Sequence, residues 1–381
     1  MSRIFLKYGV NPHQSHAVVT HPREPMKVLN GQPGYINLLD ALTAWQLVSE
    51  MHAATGKVSA ASFKHVSPAG AAIEKPLDDA FLASQFLPKR DYSPVASAYA
   101  RARGGDRMCS FGDAVAVSDT VDVSLANLLK SEVSDLIIAP GYEPGALEIL
   151  SAKKGGNYLV LQMDAGYEPP SIEKRELFGF TFEQDRNGAI ISAGLFDGAP
   201  ADAMETLIVA TLALKYAQSN SVCVAYDGQV IGLGAGQQSR IHCTRLACAK
   251  AEKWMLQTHP DVLALPFRDG LKKPDRANVV DQYLLWDELS DQELSDLRGQ
   301  LSSEPRPLSA ESRREWINRH ENLCLSSDAY IPFRDNIDRA AKSNVSIVAH
   351  PGGSVRDQIV QAACEQYGIT LLETGVRLFL H

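Results

Sequence analysis

The stretch that decides the fold class is Val58-Ser-Ala-Ala-Ser-Phe-Lys64-His65-Val-Ser-Pro-Ala-Gly70. Val58 to Phe63 has the length and apolar character of a buried strand, which we predict to end at Lys64-His65. Ser67-Pro68-Ala69-Gly70 is then predicted to turn the chain, because proline and glycine favour turns. Upstream, Leu38 to Ala53 carries apolar residues at helical spacing. A helix followed by a buried strand is typical of an α/β protein.

The same alternation of helices and strands continues along the chain. We predict strands at 114–117, 136–139, 158–163, 345–349 and 370–373, a hairpin at 222–233 with an Asp227-Gly228 turn, and helices at 123–130, 203–217, 237–256, 335–342 and 355–367. The polar stretch from Pro169 to Asp185 is predicted to be peripheral. Residues 272–314 are predicted to form a linker or insertion between two α/β halves.

Composition excludes several classes of protein. The chain has 381 residues and a formal net charge of −8, which argues against nucleic acid as the main partner because phosphate binding needs a basic surface. No apolar run is long enough to span a membrane and no signal peptide is evident, so a cytoplasmic location is predicted. The six cysteines form no Cys-x-x-Cys pair, which disfavours a zinc or redox site.

Lys64 and His65 are the first candidates for chemistry. They follow a buried strand, a position where α/β proteins often place functional side chains. A lysine beside a histidine supplies a cation and a base that titrates near neutral pH. The alternative is an exposed strand end that carries two solvated side chains.

Three further segments combine polar residues with turns. Gly232 to Arg240 holds a glycine pattern that favours either an anion site at a helix N-terminus or a tight turn from strand to helix. Ser326 to Asn336 contains acids, an amide and Tyr330, which suit a heteroaromatic ligand, whereas helix capping explains Asp335 but not the whole segment. The tail Arg377-Leu-Phe-Leu-His381 is predicted to be either part of a site or a docked edge strand.

Together these segments resemble one known family. The resemblance rests on Tyr8-Gly-Val-Asn-Pro-His-Gln14, Ser62 to Gly70, Tyr99 to Arg103, Arg107 to Asp113, Gln218 to Val222, Gly232 to Arg245, Ser326 to Asp338 and the tail. The sequence is similar to the transformylase part of the family that joins aminoimidazole carboxamide ribonucleotide (AICAR) transformylase to inosine monophosphate (IMP) cyclohydrolase. The resemblance covers essentially the whole chain.

The resemblance implies a fold and an assembly. The fold would be α/β, with duplicated cytidine-deaminase-like α/β/α units and no zinc. Residues 1–200 would form the first region, with the Lys-His pair, and 201–381 the second, with the nucleotide and folate loops and the tail. The chain would be a homodimer with active sites shared between subunits. The family's cyclohydrolase domain usually precedes the Tyr8 motif, so we expect no IMP cyclohydrolase activity and a functional coupling to a separate cyclohydrolase.

The resemblance also implies the reaction and its residues. The formyl group of 10-formyltetrahydrofolate would pass to the 5-amino group of AICAR in IMP synthesis, with Lys64 and His65 as the catalytic pair. No catalytic metal is expected, although the family can bind a structural potassium ion. The nucleotide would contact Lys7, Tyr8, Asp135, Asn220, Arg240, Tyr330, Arg377, Phe379 and His381. The folate would contact Met108, Gly112, Ile241, Asn278, Pro332, Phe333, Asp335 and Asn336.

Three positions differ from the family's common pattern. Lys7 stands where animal enzymes have arginine, Tyr330 replaces phenylalanine, and Gly352 takes a place often held by serine. A lysine contacts phosphate as a point charge and not as a bidentate fork. Two alternatives to the transformylase are a nucleotide-binding homologue without catalysis, which ribonucleotide binding without turnover would reveal, and a zinc deaminase, whose ligands the sequence lacks.

Overall fold

A computed structural model describes residues 2–381 and shows an α/β protein built on one large mixed sheet. The strands are β1 (Ser2–Phe5), β2 (Val18–His21), β3 (Met26–Asn30), β4 (Ser59–Lys64), β5 (Ser67–Ile73), β6 (Asp113–Val117), β7 (Ser134–Ala139), β8 (Leu159–Met163), β9 (Ile172–Leu177), β10 (Phe180–Asp185), β11 (Val222–Tyr226), β12 (Gln229–Gly234), β13 (Leu323–Ser327), β14 (Val345–His350) and β15 (Thr370–Glu373). The large sheet has the order β15-β14-β13-β11-β12-β5-β4-β6-β7-β8-β3, whereas β1–β2 and β9–β10 form separate two-stranded ribbons.

Helices cover both faces of this sheet. They are α1 (Tyr35–Thr55), α2 (Asp79–Ser84), α3 (Pro94–Gly105), α4 (Val123–Lys130), α5 (Pro144–Ala152), α6 (Met204–Lys215), α7 (Arg240–Leu256), α8 (Pro260–Leu263), α9 (Lys273–Leu284), α10 (Asp291–Gly299), α11 (Ala310–Ile317), α12 (Asp335–Lys342) and α13 (Asp357–Tyr367). α1 and α6 share one apolar core with alternate residues of the strands, while α3 to α5 and α7 to α13 bury apolar residues in two other cores. The α/β class predicted from the sequence is therefore confirmed.

The topology repeats once along the chain. Each unit has a helix, an antiparallel hairpin, a second helix and three parallel strands: α1, β4–β5, α3 and β6–β8 in the first, then α6, β11–β12, α7 and β13–β15 in the second. The units join where β5 lies antiparallel to β12, with Ala72 opposite Gln229. The predicted boundary between the two regions, at residue 200, lies between β10 and α6.

Two local predictions were wrong. Ser67 to Gly70 is not a turn but the start of β5, because His65 and Val66 make the turn with positive φ angles of 54° and 58°. Residues 272–314 do not separate the two halves, since they lie inside the second unit between α7 and β13. There they contribute buried residues such as Val279, Tyr283 and Leu297 to its core.

Glycines in β12 explain how α7 packs so close to the sheet. A Cβ atom added at Gly232 or Gly234 would collide with the backbone carbonyls of Ala247 or Cys243. These glycines therefore permit close contact between strand and helix. The close packing places the N-terminus of α7, with Arg240, beside the end of β12.

Candidate active site

The turn that carries Lys64 and His65 is a two-residue β-hairpin turn. Lys64 pairs with Ser67 at the end of the β4–β5 ladder, and both intervening residues are left-handed, as in a type I′ turn. Such turns favour glycine or asparagine, and a β-branched residue such as Val66 rarely adopts this conformation. The turn leaves the His65 side chain exposed and the Lys64 side chain half-buried.

The Lys64 ammonium group is held by the loop between α3 and β6. Its Nζ donates a hydrogen bond to the backbone carbonyl of Phe111. The next residue, Gly112, has a φ of 77° and lies close to Asp135, since an added Cβ would be 3.7 Å from the Asp135 Oδ2. Asp135 is exposed and forms an ion pair with Lys154. The structure thus brings Lys64, Gly112 and Asp135 to one edge of the sheet.

A buried charged network supports this loop from below. The guanidinium group of Arg103 lies 3.0 Å from the Asp113 carboxylate and donates to the Ser110 carbonyl at 2.6 Å. The Asp113 carboxylate also accepts hydrogen bonds from Ser62 at 2.7 Å and Tyr99 at 3.1 Å. Because these groups are buried and mutually bonded, they fix the loop that presents Phe111 to Lys64.

Glu132 adds a second carboxylate to the network. Burial opposes its ionisation, but Arg107, Arg103 and Lys273 together hold the pKa of Glu132 below its ordinary value. Nearby, burial and then the charge of Asp106 raise the pKa of the Cys109 thiol to about 11. Since the thiolate is the reactive form, Cys109 is not a nucleophile at neutral pH.

A second cluster forms around Arg240 at the same edge of the sheet. Arg240 makes a buried ion pair with Asp328 and donates to the Asn220 side-chain oxygen at 2.9 Å. Its Nε is buried and has no hydrogen-bond partner among residues 2–381. A donor of this kind is costly to leave unpaired, so it suits an acceptor on a bound ligand.

The C-terminal tail docks on this cluster without forming a strand. Leu378 donates its N–H to the Asp328 carbonyl at 2.8 Å, and Leu380 exchanges hydrogen bonds with Ser219 at 3.0 Å. The rings of Phe379 and His381 lie 5.4 Å apart at the exposed end. The tail is thus tied to the start of β11 by its backbone, which leaves its polar side chains exposed.

A direct contact links the two clusters. The backbone N–H of Gln218 donates to the Ser67 hydroxyl at 3.3 Å, two residues from each of His65 and Asn220. Sheet topology explains the approach, because the antiparallel pairing of β5 with β12 places the end of β12 beside the start of β5. Lys64, His65, Asn220, Arg240 and the tail therefore converge within this chain.

Other residues predicted for the nucleotide lie around this centre. Lys7 is exposed and donates its backbone N–H to Pro33, next to the start of α1, and Tyr8 follows it. Tyr330 is exposed in the loop after β13. Arg377 is also exposed and lies 5.0 Å from the centre of the Phe379 ring. No hydrogen bond or ion pair joins Lys7 or Tyr8 to Lys64 or Arg240 within the described part of the chain.

The residues predicted for the folate fall into two groups. Met108 lines a cavity of about 200 Å³ together with Phe111, Glu132, Lys273 and Ala277, and Asn278 follows Ala277 on α9. The second group comprises Ile241 at the start of α7 and Pro332, Phe333, Asp335 and Asn336 around the start of α12. The Asn336 side chain is buried and bonded to Thr244 at 2.7 Å, so it ties α12 to α7.

Sequence reasoning missed two parts of this site. Asp40 on α1 accepts a hydrogen bond from the Val66 backbone at 2.6 Å. The Arg103–Asp113 pair lies in motifs that the sequence singled out, but nothing in the motifs indicates the partner of either residue. Only a signal for long-range contact would have found them.

No helix within residues 2–381 combines the length and apolar character needed to cross a bilayer. Over the same residues, no three His, Cys, Asp or Glu side chains are grouped closely enough to hold a metal ion.

Comparison with known proteins places the chain in a family. The profile of the AICARFT/IMPCHase bienzyme matches residues 2–250, which is well over half of the chain. The chain belongs to this family. It is 29% identical to the bifunctional purine biosynthesis protein PurH of Aquifex aeolicus (strain VF5) and 28% identical to that of Persephonella marina (strain DSM 14350 / EX-H1). Each comparison covers 99% of this chain but 59% of the relative. The family member described here therefore spans about three fifths of the length of these relatives.

Proposed function

We propose that this chain transfers the formyl group of 10-formyltetrahydrofolate to the 5-amino group of AICAR, yielding formyl-AICAR and tetrahydrofolate for purine synthesis. The observation that carries the proposal is the convergence of the Lys64–His65 turn with Asn220, Arg240 and the tail at one edge of the sheet. The names of the relatives, which are purine biosynthesis proteins, support the same pathway.

His65 is proposed as the base. The 5-amino group is a weak nucleophile because its lone pair delocalises into the ring and the carboxamide. An imidazole that takes the amine proton, directly or through the neighbouring carboxamide, makes attack on the formyl carbon feasible. The exposed position of His65 at the tip of the turn leaves it accessible to the substrate.

Lys64 is proposed to stabilise the negative charge that forms during attack. As the amine nitrogen bonds to the formyl carbon, the carbonyl oxygen becomes an oxyanion, and a positioned ammonium group lowers the energy of that state. The bond from the formyl carbon to folate N10 then breaks, and Lys64 helps to protonate N10. Its hydrogen bond to the Phe111 carbonyl limits where the ammonium group can lie.

The nucleotide is proposed to lie across the second cluster. The buried Arg240 Nε and the Asn220 side chain would orient the carboxamide imidazole, and Asp135 would accept hydrogen bonds from the sugar hydroxyls. Lys7, Tyr8 and Arg377 supply the phosphate contacts, with Tyr330, Phe379 and His381 closing the site. The folate would occupy the Met108 cavity and the exposed loop around Phe333.

We propose that the structural potassium ion that the family resemblance implies is held by the oxygen atoms around Asp328. The Asp328 Oδ2 lies 2.7 Å from the Ser219 hydroxyl and 3.0 Å from the Ser221 hydroxyl. Hydroxyl and carboxylate oxygens are hard ligands suited to such a cation. Ser219, Ser221 and Asp328 would hold it, and its effect would be to fix the start of β11 against the tail.

A homodimer with shared sites is proposed as the working assembly. The β9–β10 arm supports it, because this hairpin is exposed along its whole length and ends in Phe178, which is 96% exposed. Exposed apolar patches of this kind commonly mark protein interfaces. The arm also donates from Arg175, in the middle of β9, to the His381 carbonyl at 2.7 Å, so it reaches the tail at the candidate site.

The reaction is tested by following tetrahydrofolate release when the chain is mixed with AICAR and 10-formyltetrahydrofolate. We expect turnover by the wild-type chain and a loss of about 10²- to 10⁴-fold for both Lys64→Ala and His65→Ala. A suitable control is Lys89→Ala, which breaks an exposed ion pair with Asp79, a residue that is assigned no part in the site. Unchanged activity in His65→Ala would refute its assignment as the base.

The separation of formyl transfer from ring closure stays a prediction. The purified chain is expected to release tetrahydrofolate without forming IMP until a cyclohydrolase is added. The added enzyme should also increase the yield of formyl transfer, because it removes the product. Formation of IMP by the purified chain alone would contradict the prediction, and binding of AICAR without turnover would favour a nucleotide-binding homologue.

A further inference from the structure

We propose that Asp40 is a positioning residue for formyl transfer, whose carboxylate holds the His65–Val66 turn in the left-handed conformation that presents His65. The inference rests on the proposed function. It concerns a residue that lies 25 positions before His65 in the chain and that belongs to none of the motifs of the sequence.

Asp40 is a buried carboxylate without a lysine or arginine partner among residues 2–381. It lies on α1 and is 8% exposed, with buried Leu38 and Ala41 beside it in the helix. Its hydrogen-bond partner is a backbone N–H, that of Val66 at 2.6 Å, and not the side chain of a lysine or arginine. A carboxylate in such a place costs stability unless it is well bonded. Its presence therefore calls for a role that an apolar residue would not fill.

The turn that Asp40 contacts has an unfavourable backbone conformation. His65 and Val66 both have positive φ angles, and neither is glycine. Left-handed non-glycine residues cost free energy and persist where surrounding contacts enforce them. Two successive backbone N–H groups in a turn of this kind point toward an anion. The Val66 N–H donates to the Asp40 carboxylate, and the N–H groups of Val66 and His65 lower the pKa of Asp40 against the larger effect of burial.

The position of the turn determines where the His65 imidazole lies. A shift of the turn would move the His65 imidazole relative to the amine that it must deprotonate, and rate falls steeply with small errors of placement. Lys64 has a separate anchor in the Phe111 carbonyl. Asp40 therefore controls the placement of the histidine more than that of the lysine.

The test compares three substitutions at Asp40. Asp40→Asn keeps an oxygen acceptor of the same shape, whereas Asp40→Ala removes it and Asp40→Leu removes it while filling the space. We expect kcat to fall by about 10²-fold in Asp40→Ala and in Asp40→Leu, and by less than about tenfold in Asp40→Asn. KM for AICAR should change little, because Asp40 is not proposed to contact the substrate.

A readout independent of activity is the hydrogen exchange of the Val66 amide. Exchange should be slow in the wild-type chain and in Asp40→Asn, and at least about tenfold faster in Asp40→Ala. Glu50→Ala is the matched control, since Glu50 lies on the same helix and bonds Lys215 and Tyr216 at 2.8 Å and 2.7 Å. It should lower stability without changing the Val66 exchange or kcat.

A double-mutant cycle completes the test. Glycine adopts positive φ without strain, so Val66→Gly in the Asp40→Ala background should recover part of the lost kcat. Equal kcat in Asp40→Leu and the wild type, or slow Val66 exchange in Asp40→Ala, would overturn the inference. An inactive wild-type chain would instead refute the proposed function, and the exchange measurement would still decide whether Asp40 holds the turn.

Discussion

Asp40 shows at the level of single residues how a buried carboxyl group can oppose stability. Burial raises the pKa of its carboxyl group, and the nearby charge of Asp135 acts in the same direction. The N–H groups of Val66 and His65 and the charge of His65 oppose the shift without cancelling it. Ionisation of Asp40 therefore costs the folded state free energy at neutral pH.

The raised pKa of Asp40 gives a prediction about thermal stability. A carboxyl group with a raised pKa stabilises the folded state below the unfolded value, near 3.9, and this contribution is lost as pH rises through the folded pKa. Asp40→Asn removes the ionisation and should raise Tm at pH 7 by about 2 °C, although it lowers activity. Scanning calorimetry from pH 4 to pH 8 should show a difference that grows with pH. A lower Tm at pH 7 would contradict the account.

Single residues also show where prediction from the sequence fails. Lys64 and His65 could be proposed as candidates because they form part of a recognisable motif next to a buried strand. Asp40 could not, because its role depends on α1 packing beside β4. The turn itself was misplaced at Ser67 to Gly70, since the left-handed residues are histidine and valine and neither signals a turn.

At the level of elements, α3 holds the loop that anchors Lys64. Arg103 on α3 joins Asp113, Glu132 and the Ser110 carbonyl, and all four lie in the buried interior. Removal of one partner from a buried charge network leaves the others uncompensated. The rigidity of the loop therefore depends on a side chain that does not touch Lys64.

Arg103→Ala is therefore expected to destabilise the fold by about 3–5 kcal/mol, because Asp113 and Glu132 would be left buried and unpaired. Chemical denaturation, monitored by fluorescence, measures this loss. The matched control is Arg298→Ala, which breaks an exposed pair with Glu304 at 2.7 Å and should cost about 1 kcal/mol or less. Similar losses for the two variants would argue against the network.

Elements with local signals were predicted closely. Val123–Lys130, Asp335–Lys342 and Thr370–Glu373 have the bounds expected from periodicity and flanking residues. Tertiary contacts decided the rest. Residues 169–185 appeared merely polar and peripheral but form the β9–β10 hairpin, while the tail docks by hydrogen bonds of its backbone without joining a sheet.

At the level of the whole molecule, the duplicated topology explains why distant motifs meet. The β5–β12 junction places the turn of the first unit beside the start of β11 and the end of β12 in the second. The sequence could not show this junction, because strand pairing between units leaves no local pattern. The family resemblance implied that the motifs converge, and the sheet order supplies the physical reason.

The exposed arm gives a prediction for the assembly. Phe178 and Phe180 are 96% and 69% exposed, so a double substitution to serine should weaken a dimer that buries them. Light scattering at several concentrations should show a dimer for the wild-type chain and a shift toward monomer for the variant. Val355→Ser, at another exposed apolar residue, is the control. A variant that stays dimeric would exclude the arm from the interface.

The proposed formyl transfer is tested most directly by following the formyl carbon. The wild-type chain is incubated with AICAR and 10-formyltetrahydrofolate labelled with ¹³C in the formyl group, and the products are analysed by NMR. We expect the labelled carbon to be bonded to the 5-amino nitrogen of AICAR, and we expect His65→Ala to slow this transfer by at least about 10²-fold. Label that remains on the folate while AICAR is bound by the wild-type chain would contradict the proposed formyl transfer.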